Sequence, residues 1–138
     1  MTADVLLSHL ESVKRTGDGR WLARCPAHAD KRASLTVREL PDGRVLAHCF
    51  AGCSINEVVG AVGLELSALF PEKITVDGIK PERRPFPAAD ILRAVSAETM
   101  IVSLAALDLA KGKALAAADL ERLKLAATRL QAAAKEFI

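Results

Sequence analysis

The sequence predicts an α+β protein, in which a small β-hairpin module with flanking short helices precedes a C-terminal α-helical hairpin. Alternating and β-branched segments lie between residues 20 and 50, a proline-rich stretch covers residues 71–87, and the remainder is rich in Ala and Leu at helical spacing. We therefore expect a first domain at residues 1–70, an extended linker at residues 71–87 and a helical hairpin at residues 88–138.

The first domain should begin with a short amphipathic helix over residues 3–13, because apolar residues recur there at helical spacing. The turn-forming residues 16–19 mark its end. Pro41, Asp42 and Gly43 form a strong turn signal between predicted strands at residues 34–40 and 44–50, so these two strands should form an antiparallel hairpin. The expected strands cover residues 20–24, 34–40 and 44–50.

Helices are expected on both sides of the linker. Ser54 and Glu57 have the spacing of a capping box, so a short helix should start there and pack on the hairpin. After the linker, apolar spacing predicts one long helix over residues 88–111, stopped by Gly112, and a second helix over residues 116–137. Two helices so rich in Ala bury little surface alone, and should dock on the first domain, on another copy or on a partner.

The charge distribution favours an anionic partner. The net charge of the 138 residues is only +2, but the stretch from residue 14 to residue 48 holds eight basic and four acidic side chains. Such a local excess attracts phosphate backbones, although a solvated surface also carries Lys and Arg. No apolar run approaches the roughly 20 residues that span a bilayer, and the first residues lack a signal pattern, so we expect a soluble, cytoplasmic protein.

Three cysteines and a histidine form a candidate metal site. Three cysteines cannot all pair within one chain, and a reducing compartment disfavours disulfides. Two residues separate Cys25 from His28, three separate Cys49 from Cys53, and each pair lies at the end of a predicted strand. This is a complete tetrahedral ligand set in a zinc-ribbon layout, so we expect one structural Zn²⁺. Alternatively, the cysteines are small buried hydrophobic residues.

His48 is a competing ligand because it adjoins Cys49. Neighbouring residues of a strand point to opposite faces, so both cannot easily reach one ion. We choose Cys49, since thiolates suit a closed structural site, and expect His48 to point outward, toward a phosphate. Four strong ligands leave no open position for water, which makes a catalytic metal the poorer interpretation.

These motifs resemble the N-terminal zinc-binding domain of bacterial and phage DNA primases. The similarity covers about residues 4–70 and includes three motifs in the family's order: Cys-Pro-Ala-His at residues 25–28, Asp-Lys-Arg-Ala-Ser-Leu-Thr-Val at residues 30–37, and His-Cys-Phe-Ala-Gly-Cys at residues 48–53. The chain departs from the family at Ala33, where proline is usual, and in one extra residue of the second knuckle.

The resemblance implies a role in DNA replication, in which this domain helps a primase to engage single-stranded template DNA. It implies template contacts by Lys31 and Ser34, with Arg24, Arg32 and Arg38 as less specific neighbours. Trp21 and Phe50 are candidates for stacking on bases, and core packing is the alternative for both aromatic residues.

The remainder of the sequence lacks the Mg²⁺-binding carboxylate cluster of a primase catalytic domain, so the chain alone is not expected to make primers. We expect a stand-alone module, of phage or mobile-element type, that works with a primase catalytic subunit or helicase in trans and docks through its helical hairpin. The alternative is a zinc-stabilised protein-interaction module, a replication regulator or inhibitor, without direct DNA binding.

Overall fold

The computed structural model describes residues 2–71 and 82–138, and it confirms the predicted α+β class. Four antiparallel strands form one sheet in the order β1-β2-β3-β4. Five α-helices and a short 3₁₀ helix, Leu66–Leu69, surround that sheet in the described part of the chain. The strands are β1 Lys14–Gly17, β2 Arg20–Ala23, β3 Leu35–Glu39 and β4 Val45–Cys49, and the α-helices are α1 Thr2–Leu7, α2 Ile55–Ala61, α3 Ala88–Ala94, α4 Ser96–Ala110 and α5 Ala117–Phe137.

The N-terminal helix is shorter than the apolar spacing indicated. It ends at Leu7, and Ser12 takes a left-handed conformation with a φ of 54°. The chain then enters β1, which the sequence analysis missed because residues 16–19 were interpreted as the end of the helix. Thr16 and Gly17 instead end β1, and Asp18 and Gly19 form the turn of the β1–β2 hairpin, in which Lys14 pairs with Leu22.

The hairpin of β3 and β4 forms as predicted, with Leu35 opposite Cys49 and Glu39 opposite Val45. Side chains alternate between two buried faces, as the period of two in a strand requires. The first face packs Leu35, Val37 and Val45 against α1, α2 and the 3₁₀ helix. The second face belongs to a separate core that α3 and α5 cover, with Leu22, Leu46, Phe50, Phe86, Ile91, Ala133 and Phe137 among its members.

The sheet is therefore sandwiched between the N-terminal helices and the C-terminal ones. Buried Asp90 adds a polar connection, because its carboxylate accepts hydrogen bonds from Thr16 Oγ1 and Arg93, both at 2.9 Å. The helical hairpin thus docks on the first domain, which was one of the three arrangements left open. The division at residue 71 stays a prediction, since residues 72–81 of the linker lie outside the described residues.

The predicted long helix is two helices, α3 and α4, separated at Val95. The break lets α3 bury Ile91 and Ala94 against the sheet while α4 runs along α5. Packing decides this break, because neither proline nor glycine marks it in the sequence. Gly112, with a φ of 77°, follows the end of α4 as expected, and α5 begins within one residue of its predicted start.

Phe137 provides a test of this docking. Its ring lies 4.6 Å from the ring of His48, 5.2 Å from Phe50 and 6.1 Å from Phe86. We expect Phe137→Ala to lower the free energy of unfolding by about 2 kcal/mol, less than for a fully buried Phe because the ring is half-buried.

The matched control is Leu104→Ala, since Leu104 is exposed on α4 and should change stability by less than about 0.5 kcal/mol. Urea unfolding of both variants measures the difference. Equal losses in the two variants would show that the second core does not hold α5 on the sheet.

Candidate metal centre

The four predicted ligands converge on one point of the structure. Cys25 follows β2, His28 lies in the loop after it, Cys49 ends β4, and Cys53 precedes α2. Their Sγ atoms and the His28 imidazole nitrogen all lie within 4.8 Å of one another, and Cys25 and Cys49 are buried. The cluster could hold a metal ion.

The orientation of His28 assigns a role to each of its nitrogens. Nδ1 lies 3.2 Å from Cys53 Sγ and 3.8 Å from Cys49 Sγ, whereas Nε2 lies 3.5 Å from Asp30 Oδ1. Nδ1 therefore faces the ligand cluster and Nε2 faces a carboxylate. A carboxylate on the distal nitrogen is the usual partner of a metal-binding histidine, because it fixes the tautomer and raises the basicity of the ligating nitrogen.

Asp30 also holds the shape of the loop at residues 28–34, which we call the metal loop. Its Oδ2 accepts hydrogen bonds from the Cys25 amide at 2.8 Å, from the Ser34 hydroxyl at 2.8 Å and from the Ser34 amide at 3.2 Å. One nearly buried carboxylate thus ties the stretch that carries Cys25 and His28 to the far end of the metal loop. The sequence analysis recorded Asp30 only as the acidic residue of a motif, because its partners are not visible from spacing.

A tight turn joins the second pair of ligands. Gly52 has a φ of 107°, a conformation that other residues rarely adopt, and its amide donates to the Cys49 carbonyl at 3.1 Å. The Phe50 amide donates to the Ser34 carbonyl at 2.9 Å, which ties this turn to the metal loop. After Cys53, Ser54 and Glu57 form the predicted capping box at the start of α2.

Burial and the closeness of the cysteines favour the neutral thiols in the absence of a cation. Burial, with the neighbouring thiol groups, raises the pKa of Cys25. Burial and Cys49 likewise raise the pKa of Cys53. Thiolates gathered in this space would repel one another and lose their hydration, and a metal ion held by the cluster would supply the charge that makes the thiolate form favourable.

His48 lies on the opposite face of β4 from Cys49, which confirms the choice of Cys49 for the cluster. The expectation that His48 faces a phosphate was wrong. Its ring lies 4.6 Å from Phe50 and 4.6 Å from Phe137, within the second core. Burial lowers the pKa of His48, which favours the neutral imidazole.

The residues predicted to contact nucleic acid occupy different parts of the surface. Lys31 and Arg32 are exposed together on the metal loop, and Arg24 is exposed on the side where Cys25 and His28 line a shallow cavity. Ser34 is buried, and its hydroxyl donates to Asp30, so it serves the metal loop in this conformation.

Two further predicted contacts have intramolecular partners. Arg38 donates to the carbonyls of Arg84 and Pro85, at 3.0 and 2.9 Å, and so holds the end of the linker on the sheet. Trp21 is half-buried, packs against the first core and lines a separate cavity near Glu39. Phe50 is buried in the second core, in agreement with its packing alternative.

Sequence reasoning missed a charged cluster between α4 and α5. Both carboxylate oxygens of Glu98 accept hydrogen bonds from Arg122, at 2.7 and 3.0 Å, and one accepts a third from Arg129 at 2.9 Å. Burial alone would raise the pKa of Glu98, but the hydrogen bonds and charges of the two arginines outweigh it and hold the pKa below its usual range.

The fold and the site together define an α+β protein whose Cys₃His cluster could hold a metal ion. No protein-family model, curated protein or solved structure matches the chain. Across residues 2–71 and 82–138, no helix combines the length and apolar character needed to cross a bilayer.

The adjacent residues His48 and Cys49 give a direct test of the cluster. We expect Cys49→Ala to abolish stoichiometric metal binding, because it removes one of four converging ligands, and His48→Ala to retain about one ion per chain despite lower stability. Metal content of the purified variants, measured by mass spectrometry after gel filtration, decides between them. Loss of metal from His48→Ala together with its retention in Cys49→Ala would overturn the ligand assignment.

Glu98 should make the helical hairpin sensitive to acid. Because the folded pKa lies below the unfolded value near 4.5, the carboxylate stabilises the fold above that value, and this contribution is lost as pH falls through the folded pKa. We expect Glu98→Gln to cost about 1–2 kcal/mol at pH 7, discounted for the partly exposed arginines, and progressively less as the pH falls through the folded pKa. Thermal unfolding of both proteins between pH 7 and 3 measures this difference, and a constant difference across the range would contradict the assignment.

Proposed function

We propose that the cluster holds one structural Zn²⁺ and that the protein is a primase-type zinc-binding module for single-stranded template DNA. It would act with a primase catalytic subunit or helicase in trans, in the cytoplasm, where thiol ligands stay reduced. The observation that carries the proposal is the exposed Lys31–Arg32 pair on a loop that Asp30 ties to the Cys₃His cluster.

The ligand chemistry supports zinc. Three thiolates and one imidazole are soft to borderline ligands, and this combination is typical of closed zinc sites. A tetrahedral ion with Zn–S bonds of about 2.3 Å needs sulfur atoms roughly 3.8 Å apart. The ligand atoms already lie within 4.8 Å of one another, so a small contraction suffices. Four protein ligands complete the tetrahedral coordination sphere of the ion and leave no position for water, which favours a structural role.

The position of the basic side chains supports binding of a nucleic-acid backbone. Lys31 and Arg32 sit between the ligand His28 and the anchor Ser34, so the metal and Asp30 together order the loop that presents them. Preordered cations bind phosphates with less loss of side-chain and loop entropy. Arg24 extends the basic surface past Cys25. Ser34, Arg38 and Trp21 remain predicted contacts. Ser34 is buried beneath this surface, and Arg38 and Trp21 have partners in other parts of the sheet.

The acidic residues of the helices support a non-catalytic role for the chain by itself. Asp90 is buried against Thr16 and Arg93, and Glu98 is held by two arginines. These carboxylates are neutralised by protein cations rather than gathered to bind Mg²⁺. Primer synthesis would therefore belong to the partner subunit.

An apolar face of α4 supports the expected partner, and it also favours the alternative function. Met100, Leu104 and Leu107 follow the i, i+4, i+7 spacing of one helix face, and each is about half exposed. Exposed leucines at this spacing form a surface suited to a groove on another protein. A regulatory interaction module would use the same face without any DNA contact.

Salt-dependent DNA binding tests the proposal. Each phosphate contact that is lost should lower the slope of log affinity against log salt by about 0.7 for single strands. We expect Lys31→Ala and Arg32→Ala each to weaken binding of a short single-stranded oligonucleotide with such a change of slope. Lys113→Ala, which removes an exposed cation from the α4–α5 turn, is the matched control. Fluorescence anisotropy at several salt concentrations measures both quantities.

The same experiment is repeated after removal of the metal and after addition of a partner subunit. Protein stripped of zinc by a chelator should lose the affinity, because the metal loop loses its anchor. No salt-dependent binding by the zinc-loaded protein, even with a primase catalytic subunit or helicase added, would reject DNA binding. If Leu104→Asp then abolished binding to that partner, the interaction module would be the function.

A further inference from the structure

A cavity of about 440 Å³ lies between the metal loop and the helical hairpin. Its walls come from two parts of the chain that are distant in sequence: residues 28–34 on one side and α4 with α5 on the other. Four basic side chains line it, namely Lys31, Arg32, Arg122 and Arg129. Neither the zinc ligands nor the predicted DNA contacts account for the two arginines of α5.

The acidic side chains of this cavity are already occupied. Asp30 accepts from Cys25 and Ser34 and faces His28, and Glu98 receives three hydrogen bonds from Arg122 and Arg129. Both carboxylates therefore already have hydrogen-bond partners within the protein. The cavity keeps an excess of positive charge, because four cationic side chains line it against two carboxylates.

The cations retain donors for a ligand. A guanidinium has five N–H groups, and Glu98 occupies only part of those on Arg122 and Arg129. Lys31 and Arg32 are exposed and make no ion pair within the described ranges. Glu98, only 7% exposed, holds the two arginines side by side in fixed positions. Such a pair is suited to the tetrahedral oxygens of a phosphate, which arginine recognises in a bidentate manner.

The remaining wall is apolar and adds space beyond a phosphate group. Ala94, Ala97, Leu125 and Phe50 line it. Small-molecule sites commonly enclose about 300–1,000 Å³ and combine an apolar wall with a few fixed polar groups. The cavity therefore has the size for a whole nucleotide unit, with its sugar or base against the apolar wall.

We propose that this cavity binds the phosphate group of a nucleotide through Arg122 and Arg129 of α5 together with Lys31 and Arg32 of the metal loop. The phosphate belongs either to single-stranded DNA, which rests on the proposed function, or to a free nucleotide. The helical hairpin is then part of the nucleic-acid surface as well as a partner-docking element. A strand that contacts the metal loop continues across α5.

Two variants on α5, each with a control on the same helix, test the site. Arg129→Gln removes a cavity cation, and Lys124→Gln makes the same charge change at an exposed position beside Glu121, outside the cavity. Leu125→Glu places a carboxylate in the cavity, and Leu120→Glu places one outside it. Leu125 and Leu120 are 44% and 42% exposed, so both glutamate variants should fold even if Arg129→Gln does not.

The probes are a short single-stranded oligonucleotide and, separately, ATP and inorganic phosphate. We expect Arg129→Gln and Leu125→Glu each to lower the affinity for the probe about tenfold, which is the effect of losing a charge-assisted hydrogen bond. The two control variants should change the affinity less than about twofold. Titration should also shift the side-chain NMR signals of Arg122 and Arg129.

The outcomes separate this site from the proposed function. If the cavity variants weaken oligonucleotide binding, the result supports both the cavity site and the proposed function. If the cavity variants and their controls change oligonucleotide binding equally, the cavity site is overturned and the proposed function stands. ATP or phosphate binding that depends on the cavity, without any binding of the oligonucleotide, supports a free-nucleotide site and rejects the proposed function. No binding of any probe by the zinc-loaded protein overturns the cavity site.

Discussion

The structure depends on four ligand atoms from two distant chain segments meeting at one point. Cys25 and Cys49 are at once cluster members and buried residues of the first core, so the site and that core cannot form separately. Asp30 orders the first segment through its bonds to Cys25 and Ser34 and its position beside His28. The Phe50 amide, which donates to the Ser34 carbonyl, ties the second segment to the first. The basic loop, the start of α2 and the first face of the sheet all adjoin this point of convergence.

Local sequence signals predicted the elements whose cause is local. The Pro41-Asp42-Gly43 turn, the capping box at Ser54 and the stop at Gly112 act over a few residues, and each is in the structure. The ligand cluster was predictable for a related reason, since its spacing and its turn residues lie within two short motifs. Strand β1 was missed because a turn signal does not state which elements it joins.

The features that could not be predicted depend on contacts between distant residues. The helix break at Val95 follows from the competing demands of the sheet and α5, and no breaking residue marks it. Glu98 meets Arg122 and Arg129 only because α4 and α5 are antiparallel neighbours. Likewise, Arg38 resembled a free cation in the sequence, whereas the end of the linker supplies carbonyl partners that spacing cannot reveal.

The alternation along β4 has a consequence for how the hairpin finds its register. Cys49 faces the ligand cluster, while its neighbours His48 and Phe50 face the aromatic core on the other side. A slip of one residue would turn an aromatic ring toward the thiols and a thiol toward the rings, so both surfaces would reject the error together. A shifted register is therefore destabilised on both faces of the sheet at once, and no mispaired hairpin keeps one of the two faces correctly packed.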